Sequence, residues 1–362
     1  MDLYTLDQDF TKVDLIDFLS SSIWTERVSG NGDCQLVAPA TPGNIDLLSP
    51  ETCLILDGSD SVMMIESQNI KNKVLTVNGI SLEQELNNRF IRFTPDHNDR
   101  SYLLTGSPGY IMQFLVQSMC IGSDWLSGVK PIGIVNPLRL RIPYFTVANY
   151  DNTLPSITTA VSYGPLYDAL KSLADTYQVS QRIYLAGPQD LRYENYLGVD
   201  HTSMGLQTNL LVRFTSDFGN FVNPNEVETI TNYKTHAFAF ASGLPAGGSH
   251  TAGEEEVDPS LSGFNLRAML VFADDVTSSI NPLQLTNVLN QRAEAALIEN
   301  SSVSAVDGEV VNSKYVYGVH YRLGDIVETQ GSDGVIKAAR VTEYIRSHDA
   351  SGDKSYPTLV AV

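Results

Sequence analysis

Residues that could carry out nucleophilic chemistry are few in this chain of 362 residues. A catalytic serine of the nucleophile-elbow type needs a sharp turn between a strand and a helix. The nearest match is HTSMG at 201–205, where His201 stands in the position that the motif reserves for glycine. No strand–turn–helix pattern surrounds it. We therefore expect Ser203 to be an ordinary loop serine.

Paired carboxylates, the groups that cleave glycosidic bonds, occur at Asp274-Asp275 and in the run 254–256. Neighbouring residues in a strand point to opposite faces, so the two aspartates cannot act together in a strand. The three glutamates fall within GLPAGGSHTAGEEEVDPSLSG (243–263), whose Gly, Ser, Pro and acidic residues predict a solvated, mobile loop. Solvated charge is the expected role of both groups.

Metal and cofactor motifs are missing from the sequence. There is no HExxH, Walker A loop or EF-hand loop, and Gly30-Asn31-Gly32 lacks the third glycine and the following helix of a dinucleotide site. The six histidines stand singly, and His236 and His320 fall in strand-like sequence, where a hydrogen-bonded imidazole is commoner than a ligand. We expect no catalytic, cofactor-binding or metal-binding residue.

The cysteines and tryptophans favour structural roles. Cys34, Cys53 and Cys120 show no CxxC spacing and lie in apolar surroundings, so they are expected to be reduced thiols. Trp24 and Trp125 could stack on sugars. One lies in a predicted strand and the other beside a turn, which is more typical of anchors in a core or a loop.

Composition and charge limit the class of protein. Hydrophobic residues make up 43% and charged residues 18%, which is typical of a folded protein. The apolar runs are too short to span a bilayer. The start, MDLYTLDQDF, is acidic where a signal peptide is basic, so we expect no secretory leader. A net charge of -19 argues against specific nucleic-acid binding, which depends on Lys and Arg.

The first hundred residues read as short strands separated by turns. Gly30-Asn31-Gly32-Asp33 predicts a hairpin, because Asn-Gly tolerates the positive φ of tight turns. Asp57-Gly58 and Asn78-Gly79 are read as further turns. Strands at this spacing predict an antiparallel barrel or sandwich over 1–100.

Two helices are predicted in a mixed α/β insert over 101–205, near 109–121 and 165–178. The second is the clearer one, with six residues on one face: Leu166, Tyr167, Leu170, Leu173, Ala174 and Tyr177. The prolines of 129–155 favour extended structure or edge strands.

Strand patterns return over 206–362, interrupted by the predicted loop 243–263 and by a helix at 281–299 with Asn281 as its N-cap. The fold class expected is mainly β with helical insertions (α+β). Two β-barrel-like domains, 1–100 and 206–362, would flank the insert.

The last forty residues carry a more specific pattern, YRLGDIVE at 321–328 followed by VIKAARVTEYIRSHD at 335–349. It resembles the C-terminal signature of the tail-hub proteins of long-tailed phages, especially the minor tail proteins of siphophages that infect actinobacteria. Tyr321, Gly324 and Asp325 occupy the family positions, followed by an aliphatic strand. Physically, Gly324 permits a bulge or positive φ at a corner, and Asp325 can accept hydrogen bonds from nearby amides.

Other segments are similar to the same family in the same order. SSIWTERVSGNGDCQLVAP, with Trp24 and Gly32, matches an N-terminal pattern, and GPLYDALKSLADTY matches a central helix. VMMIESQNI, VRFTSDFGN and LRAMLVFADDV also fit. The chain departs from the family where Thr235-His236 follow Lys234 and where the strand near Arg267 has a single arginine.

The resemblance implies a virion structural protein rather than an enzyme. It implies a homotrimeric ring at the tail tip, or baseplate hub, which adapts the six-fold tail tube to three-fold tip components and forms part of the DNA conduit. Expected partners are the distal tail protein, other minor tail proteins and the tape measure protein, after synthesis in the host cytoplasm. The alternative is a tail-associated hydrolase or binding module for cell-wall glycan.

Overall fold

The computed structural model describes residues 2–91, 101–121, 141–148, 153–205, 209–241, 252–273, 276, 282–311, 314–331 and 334–362. Strands account for 48% of the chain and helices for 20%. This confirms the prediction of a mainly β protein with helical insertions.

The strands and helices are numbered in chain order. The strands are β1 Leu3–Leu6, β2 Lys12–Ile16, β3 Ser21–Arg27, β4 Asp33–Pro39, β5 Cys53–Leu56, β6 Val62–Lys71, β7 Val74–Ser81, β8 Phe90–Ile91, β9 Ser101–Gly106, β10 Phe145–Val147, β11 Ile157–Ser162, β12 Gly164–Pro165, β13 Ser180–Gly187, β14 Asp190–Tyr196, β15 Arg213–Phe214, β16 Phe221–Thr229, β17 His236–Phe240, β18 Ala252–Glu256, β19 Ala268–Phe272, β20 Val303–Val310, β21 Ile326–Gln330, β22 Ile336–Asp349 and β23 Gly352–Ala361. The α-helices are α1 Pro42–Leu47, α2 Pro108–Val116, α3 Leu166–Tyr177 and α4 Pro282–Glu299. Shorter helical turns cover Leu82–Leu86, Gln117–Ile121, Ser216–Phe218 and Gly263–Asn265.

Thirteen strands form one large sheet that joins the two ends of the chain. Its order is β16-β20-β23-β22-β3-β4-β7-β6-β5-β1-β2, with β21 beside β22 and β15 beside β21. The joint is the antiparallel pair β3–β22, in which Trp24 lies opposite Arg346 and Glu26 opposite Tyr344. Strands from 1–100 and from 206–362 therefore share a sheet, and their division into two barrel-like domains stays a prediction.

The predicted helices at 109–121 and 165–178 correspond to α2, with the turn that follows it, and to α3. Ser107 caps α2 by accepting the backbone N–H of Tyr110, and Pro108 occupies the first turn, where its missing N–H costs little. The apolar face of α3 is buried as its 3.6-residue period predicts. Both helices pack into one hydrophobic core with β13 and β14.

A smaller sheet, β18-β17-β19, is covered on one face by α4. The predicted N-cap of this helix, Asn281, lies outside the described residues, as do His97, Trp125, His250 and Asp274-Asp275. Helix and sheet approach closely, because a Cβ on Gly253 would lie 2.2 Å from the backbone of Leu289. Only glycine fits in β18 at that point.

The predicted loop over 243–263 is wrong at residues 252–256, whereas residues 257–262 lie in neither a strand nor a helix, in agreement with the prediction. Residues 252–256 form β18, which pairs with β17 in register from His236 opposite Glu256 to Phe240 opposite Ala252. The polar composition suggested a loop because this strand has an exposed face that accepts carboxylates. The glutamates at 254–256 therefore lie on a strand rather than in a loop, and Glu254 and Glu256 are exposed, as expected for solvated charge.

Two smaller predictions are also wrong. Asn78-Gly79 lies inside β7 rather than in a turn, and glycine is needed there because a Cβ would lie 2.8 Å from both Cys34 Sγ and the Met64 carbonyl oxygen. His320 lies in a turn, where its Nδ1 accepts the backbone N–H of Val316. The hairpin at 30–33 is present between β3 and β4, although Asn31 and Gly32 are not at positive φ.

Candidate functional site at a three-way junction

The last strands meet the middle of the chain at Gly324. Its φ is +88°, a conformation that residues with a Cβ rarely adopt. A Cβ there would lie 2.1 Å from Ser180 Oγ, and a Cβ on Gly198 would lie 1.8 Å from the Gly324 carbonyl oxygen. Two glycines therefore allow the backbone of 324–325 to run against the segment that follows β14.

Asp325 holds this corner with its buried carboxylate. Oδ1 accepts the backbone N–H of Val199 at 2.7 Å, and Oδ2 accepts the backbone N–H of Arg322 at 2.9 Å. His201 Nε2 lies 3.3 Å from Oδ2. The carboxylate thus fixes a local turn and also attaches the distant segment 199–201 to it.

Further backbone and side-chain hydrogen bonds join the insert to the C-terminal strands. Ile326 donates its N–H to the Val199 carbonyl, and His201 donates its N–H to the Ile326 carbonyl. Buried Arg340, on β22, donates to the Gln178 carbonyl and to Ser180 Oγ. Burial lowers the pKa of the Arg340 guanidinium. The insert is thereby fixed to the C-terminal strands by charge-assisted hydrogen bonds, which are stronger than neutral ones.

Tyr321 lies in an aromatic cluster on the sheet side of the corner. Its ring meets Phe214 edge-on at 5.1 Å and Tyr317 edge-on at 5.6 Å, and Tyr317 stacks on Tyr344 at 3.8 Å. The two edge-on contacts of Tyr321 have the geometry and the distance that favour aromatic pairs. Burial raises the pKa of the Tyr321 hydroxyl, so it stays neutral. Tyr321 anchors the corner by packing.

Trp24 is completely buried in the N-terminal core and is not available to stack on a sugar. Its Nε1 donates to Glu26 Oε1 at 3.2 Å. Glu26 also accepts from Ser59 at 2.7 Å and from Arg346 of β22. A buried carboxylate of this kind needs several donors to offset lost hydration. The network couples the N-terminal core to the C-terminal strands.

Gly32 lies at the end of the β3–β4 hairpin. A Cβ there would lie 2.6 Å from the Thr25 carbonyl oxygen. Its N–H donates to Ser81 Oγ at 2.8 Å, and Ser81 returns its own N–H to the Gly32 carbonyl at 2.9 Å. Glycine here allows the hairpin to close against β7.

These surroundings enclose a small polar pocket of about 40 Å³. Among the residues that line it are Glu26, Gly32, Ser81, Glu83, Gln181, Arg182, Tyr196, Tyr317 and Arg322. Glu83 accepts the backbone N–H of Ile183 at 2.7 Å, and burial raises the pKa of its carboxyl. Tyr196 lies between Arg182 and Arg322 and donates to the Leu323 carbonyl. The pocket marks where the N-terminal sheet, the insert and the C-terminal corner meet.

The arrangement attaches distant segments of the chain to one another. Four of the residues singled out in the sequence line or adjoin this junction: Tyr321, Gly324, Asp325 and Gly32. Trp24 is connected to it by the hydrogen bond to Glu26. In the sequence, the Gly-Asp pair and the resemblance to the family indicated these residues. Sequence reasoning missed Glu26, Arg340 and Tyr196. Each has a partner more than a hundred positions away along the chain: Arg346, Ser180 and Leu323, respectively.

The candidate catalytic groups are placed differently. Ser203 lies in a turn and donates its backbone N–H to Glu328. The His201 ring faces the Leu210 carbonyl and Asp325, so neither nitrogen is directed at Ser203. Among the described residues, one group could hold a metal ion: His236, Glu254 and Glu256, on the smaller sheet.

Within the described part of the chain, no helix is both long enough and apolar enough to cross a membrane. The search of curated proteins gave no match.

The family model of Siphovirus ReqiPepy6 Gp37-like proteins matches residues 2–359. The 43 kDa tail protein of prophage MuSo2 from Shewanella oneidensis has a similar fold, with 12% identity, TM-score 0.57, and coverage of 100% of this chain and 98% of that chain. The tail protein from Neisseria meningitidis MC58 gives 13% identity, TM-score 0.57, and coverage of 99% and 96%. Prophage tail protein gp18 from Listeria monocytogenes EGD-e gives 10% identity, TM-score 0.54, and coverage of 99% and 94%.

The family match spans nearly the whole chain, and the fold similarity extends over the whole length of these three tail proteins. The chain therefore belongs to the Siphovirus ReqiPepy6 Gp37-like protein family and has the fold of phage tail proteins.

Proposed function

We propose that the protein is a structural component of the virion, the hub of the tail tip. Three copies would form a ring that adapts the six-fold tail tube to three-fold components of the tip. The observation that carries this proposal is the tail-protein fold over the full chain, in a chain that belongs to a siphovirus family.

Features of the large sheet support assembly into a ring. Among the described strands, β2 pairs only with β1 and β16 only with β20, so each of these two strands is an edge of the sheet. Exposed apolar side chains lie on both edge strands, including Val13, Leu15 and Val227. Open edges and exposed apolar groups favour pairing with another chain. A three-fold ring uses such head-to-tail contacts between different surfaces.

The ring would form part of the DNA conduit. A chain with a net charge of -19 repels DNA phosphates over the range of the Debye length, so DNA could pass without being held. Neighbours in the tail would be the distal tail protein, other minor tail proteins and the tape measure protein.

The proposal assigns no enzymatic activity. Asp325 and Glu26 each accept hydrogen bonds from several donors within the fold. Such fixed contacts suit a rigid connector. Hydrolysis of a glycan would need two carboxylates facing a shared cleft.

Light scattering of the full chain tests the trimer, alone and mixed with the distal tail protein from the same genome. One chain has a mass of 39.7 kDa. We expect a particle of three chains, alone or on mixing. A chain that stays monomeric in both samples would contradict the proposal, and release of sugars from host cell walls would favour the hydrolase instead.

A further inference from the structure

The small sheet β17–β19 has one face that α4 does not cover. Successive residues of a strand alternate between faces, and Ala237, Ala239 and Gly253 face the helix. His236, Glu254 and Glu256 therefore share the opposite face. The strand register places His236 directly opposite Glu256, while Glu254 lies two pairs further along, opposite Phe238.

The two carboxylates lie on either side of the imidazole. His236 Nε2 is 2.9 Å from Glu254 Oε1, and His236 Nδ1 is 3.5 Å from Glu256 Oε1. The ring is stacked on Phe238, with centroids 4.4 Å apart, and is 8% exposed. Its position is thus fixed by packing, while the carboxylates remain open to solvent.

An added positive charge would stabilise this group, because two carboxylates lie beside one imidazole. A neutral imidazole has one N–H donor and one lone pair, so one ring nitrogen faces a carboxylate with no hydrogen between them. In the described part of the chain, neither glutamate forms an ion pair with Lys or Arg, and each pairs with His236 alone. A cation bound between the groups would offset the negative charge of the two carboxylates.

We propose that His236, Glu254 and Glu256 bind a divalent zinc ion. One nitrogen and two carboxylate oxygens lie within 4.8 Å of one another, and a rotamer change in one of the exposed glutamates would bring all three onto one ion. Imidazole and carboxylate are both zinc ligands, and zinc accepts three protein ligands plus one from solvent. Calcium prefers six to eight oxygens, which this group does not supply. The ion would neutralise the two carboxylates and link β17 to β18.

The inference is independent of trimer formation, since all three ligands come from one hairpin. Its role would be to tie together the two strands that flank residues 241–251. Binding of zinc by the folded state alone would raise the stability of this sheet by mass action.

The test uses the full chain after treatment with a chelator, titrated with zinc chloride by calorimetry and followed by thermal unfolding. We expect one zinc ion per chain and a rise in Tm, with no comparable rise from calcium chloride. His236→Ala, Glu254→Gln and Glu256→Gln should each weaken zinc binding by at least the roughly 10-fold to 100-fold that loss of an outer-sphere partner costs.

Glu255→Gln is the matched control, because Glu255 lies on the same strand with its side chain on the opposite face; we expect zinc binding to be unchanged. The two glutamine variants guard against misfolding of the His236 variant, since they alter exposed, isosteric groups. Absorption of bound cobalt(II) would report nitrogen and oxygen ligation directly. Unchanged Tm with zinc, or zinc binding that survives in all three ligand variants, would overturn the proposal.

Discussion

The carboxylate of Asp325 accepts the backbone N–H of Val199 at 2.7 Å, across 126 positions of the chain. Through this contact, a turn in the last forty residues holds the end of the insert against the C-terminal strands. Because the same carboxylate also accepts the N–H of Arg322, it shapes its own turn and fixes a distant segment with one buried group.

Replacing Asp325 by alanine should destabilise the fold markedly. Two backbone N–H groups would lose their acceptor in a buried place, and each such loss costs about 1–3 kcal/mol. We expect a fall of about 2–5 kcal/mol in the free energy of unfolding, measured by urea denaturation. Asp325→Asn keeps one acceptor oxygen and should fall between alanine and the natural residue.

Asp353→Ala is the control for this experiment. Asp353 pairs with His348 at the exposed β22–β23 hairpin, where ion pairs contribute about 0–1 kcal/mol. Equal losses at positions 325 and 353 would contradict the role assigned to the corner.

Gly324→Ala should be costly for two separate reasons. The residue has φ +88°, and the added methyl would overlap Ser180 Oγ. A residue with a Cβ in a sparsely populated conformation costs about 1–3 kcal/mol, before any overlap is counted. We expect a loss of at least about 2 kcal/mol, measured by thermal or urea unfolding.

Two glycines separate these causes. Gly352 has φ +106° but nothing within 4 Å of a built Cβ, so Gly352→Ala reports strain alone. Gly187 has neither feature, so Gly187→Ala should be nearly neutral. If Gly324→Ala cost no more than Gly352→Ala, close packing against Ser180 would not be important.

Glu83→Gln should stabilise the protein in a pH-dependent way. Burial raises the pKa of Glu83 in the folded state above its unfolded value. The contribution of Glu83 to stability is therefore fully present below the unfolded pKa and lost as pH rises through the folded pKa. Glutamine keeps the acceptor for the Ile183 N–H without the charge. Its advantage should be greatest at neutral pH and should vanish in acid, as measured by urea unfolding across pH.

The exposed Glu66 offers the comparison, because Glu66→Gln should not change the pH dependence. A Glu83 variant that gains as much stability in acid as at neutral pH would contradict a buried, ionised carboxylate at the pocket.

The thiols should react slowly in the folded protein. Burial raises the pKa of Cys34 and Cys120 to about 12 and that of Cys53 to about 11. Because the thiolate is the reactive form, we expect little alkylation at pH 8 over minutes and complete reaction in urea, followed by mass spectrometry. Cys53, which is only partly buried, should react first. Rapid labelling of Cys34 in the native state would show that the N-terminal core opens.

Sequence patterns predicted the elements whose formation depends on residues a few positions apart. The spacing from Leu166 to Tyr177 places apolar residues on one face, and α3 buries that face in the structure. Alternating apolar and polar residues, together with turn residues, predict β structure for most of the chain. These signals depend on neighbours a few positions apart, so the sequence contains them directly.

Such local patterns could not predict which strands pair when they are far apart along the chain. Nothing near Trp24 or Glu26 indicates that β3 will pair with β22, because the partners are more than 300 positions away. The same limit explains why the turn predicted at Gly79 and the loop predicted at Glu254 were wrong. A glycine required by close packing looks like a turn glycine, and a glutamate in a polar strand looks like a loop residue until its cross-strand neighbour is known.

Electron cryomicroscopy of the tail tip, from the phage that encodes this chain, tests the central claim most directly. The account predicts three copies of the thirteen-stranded fold around the tail axis, directly below the tail tube, with the Gly324–Asp325 corner inside each copy. A tip without this fold, or with single copies projecting from the outside of the tail, would contradict the assignment as hub.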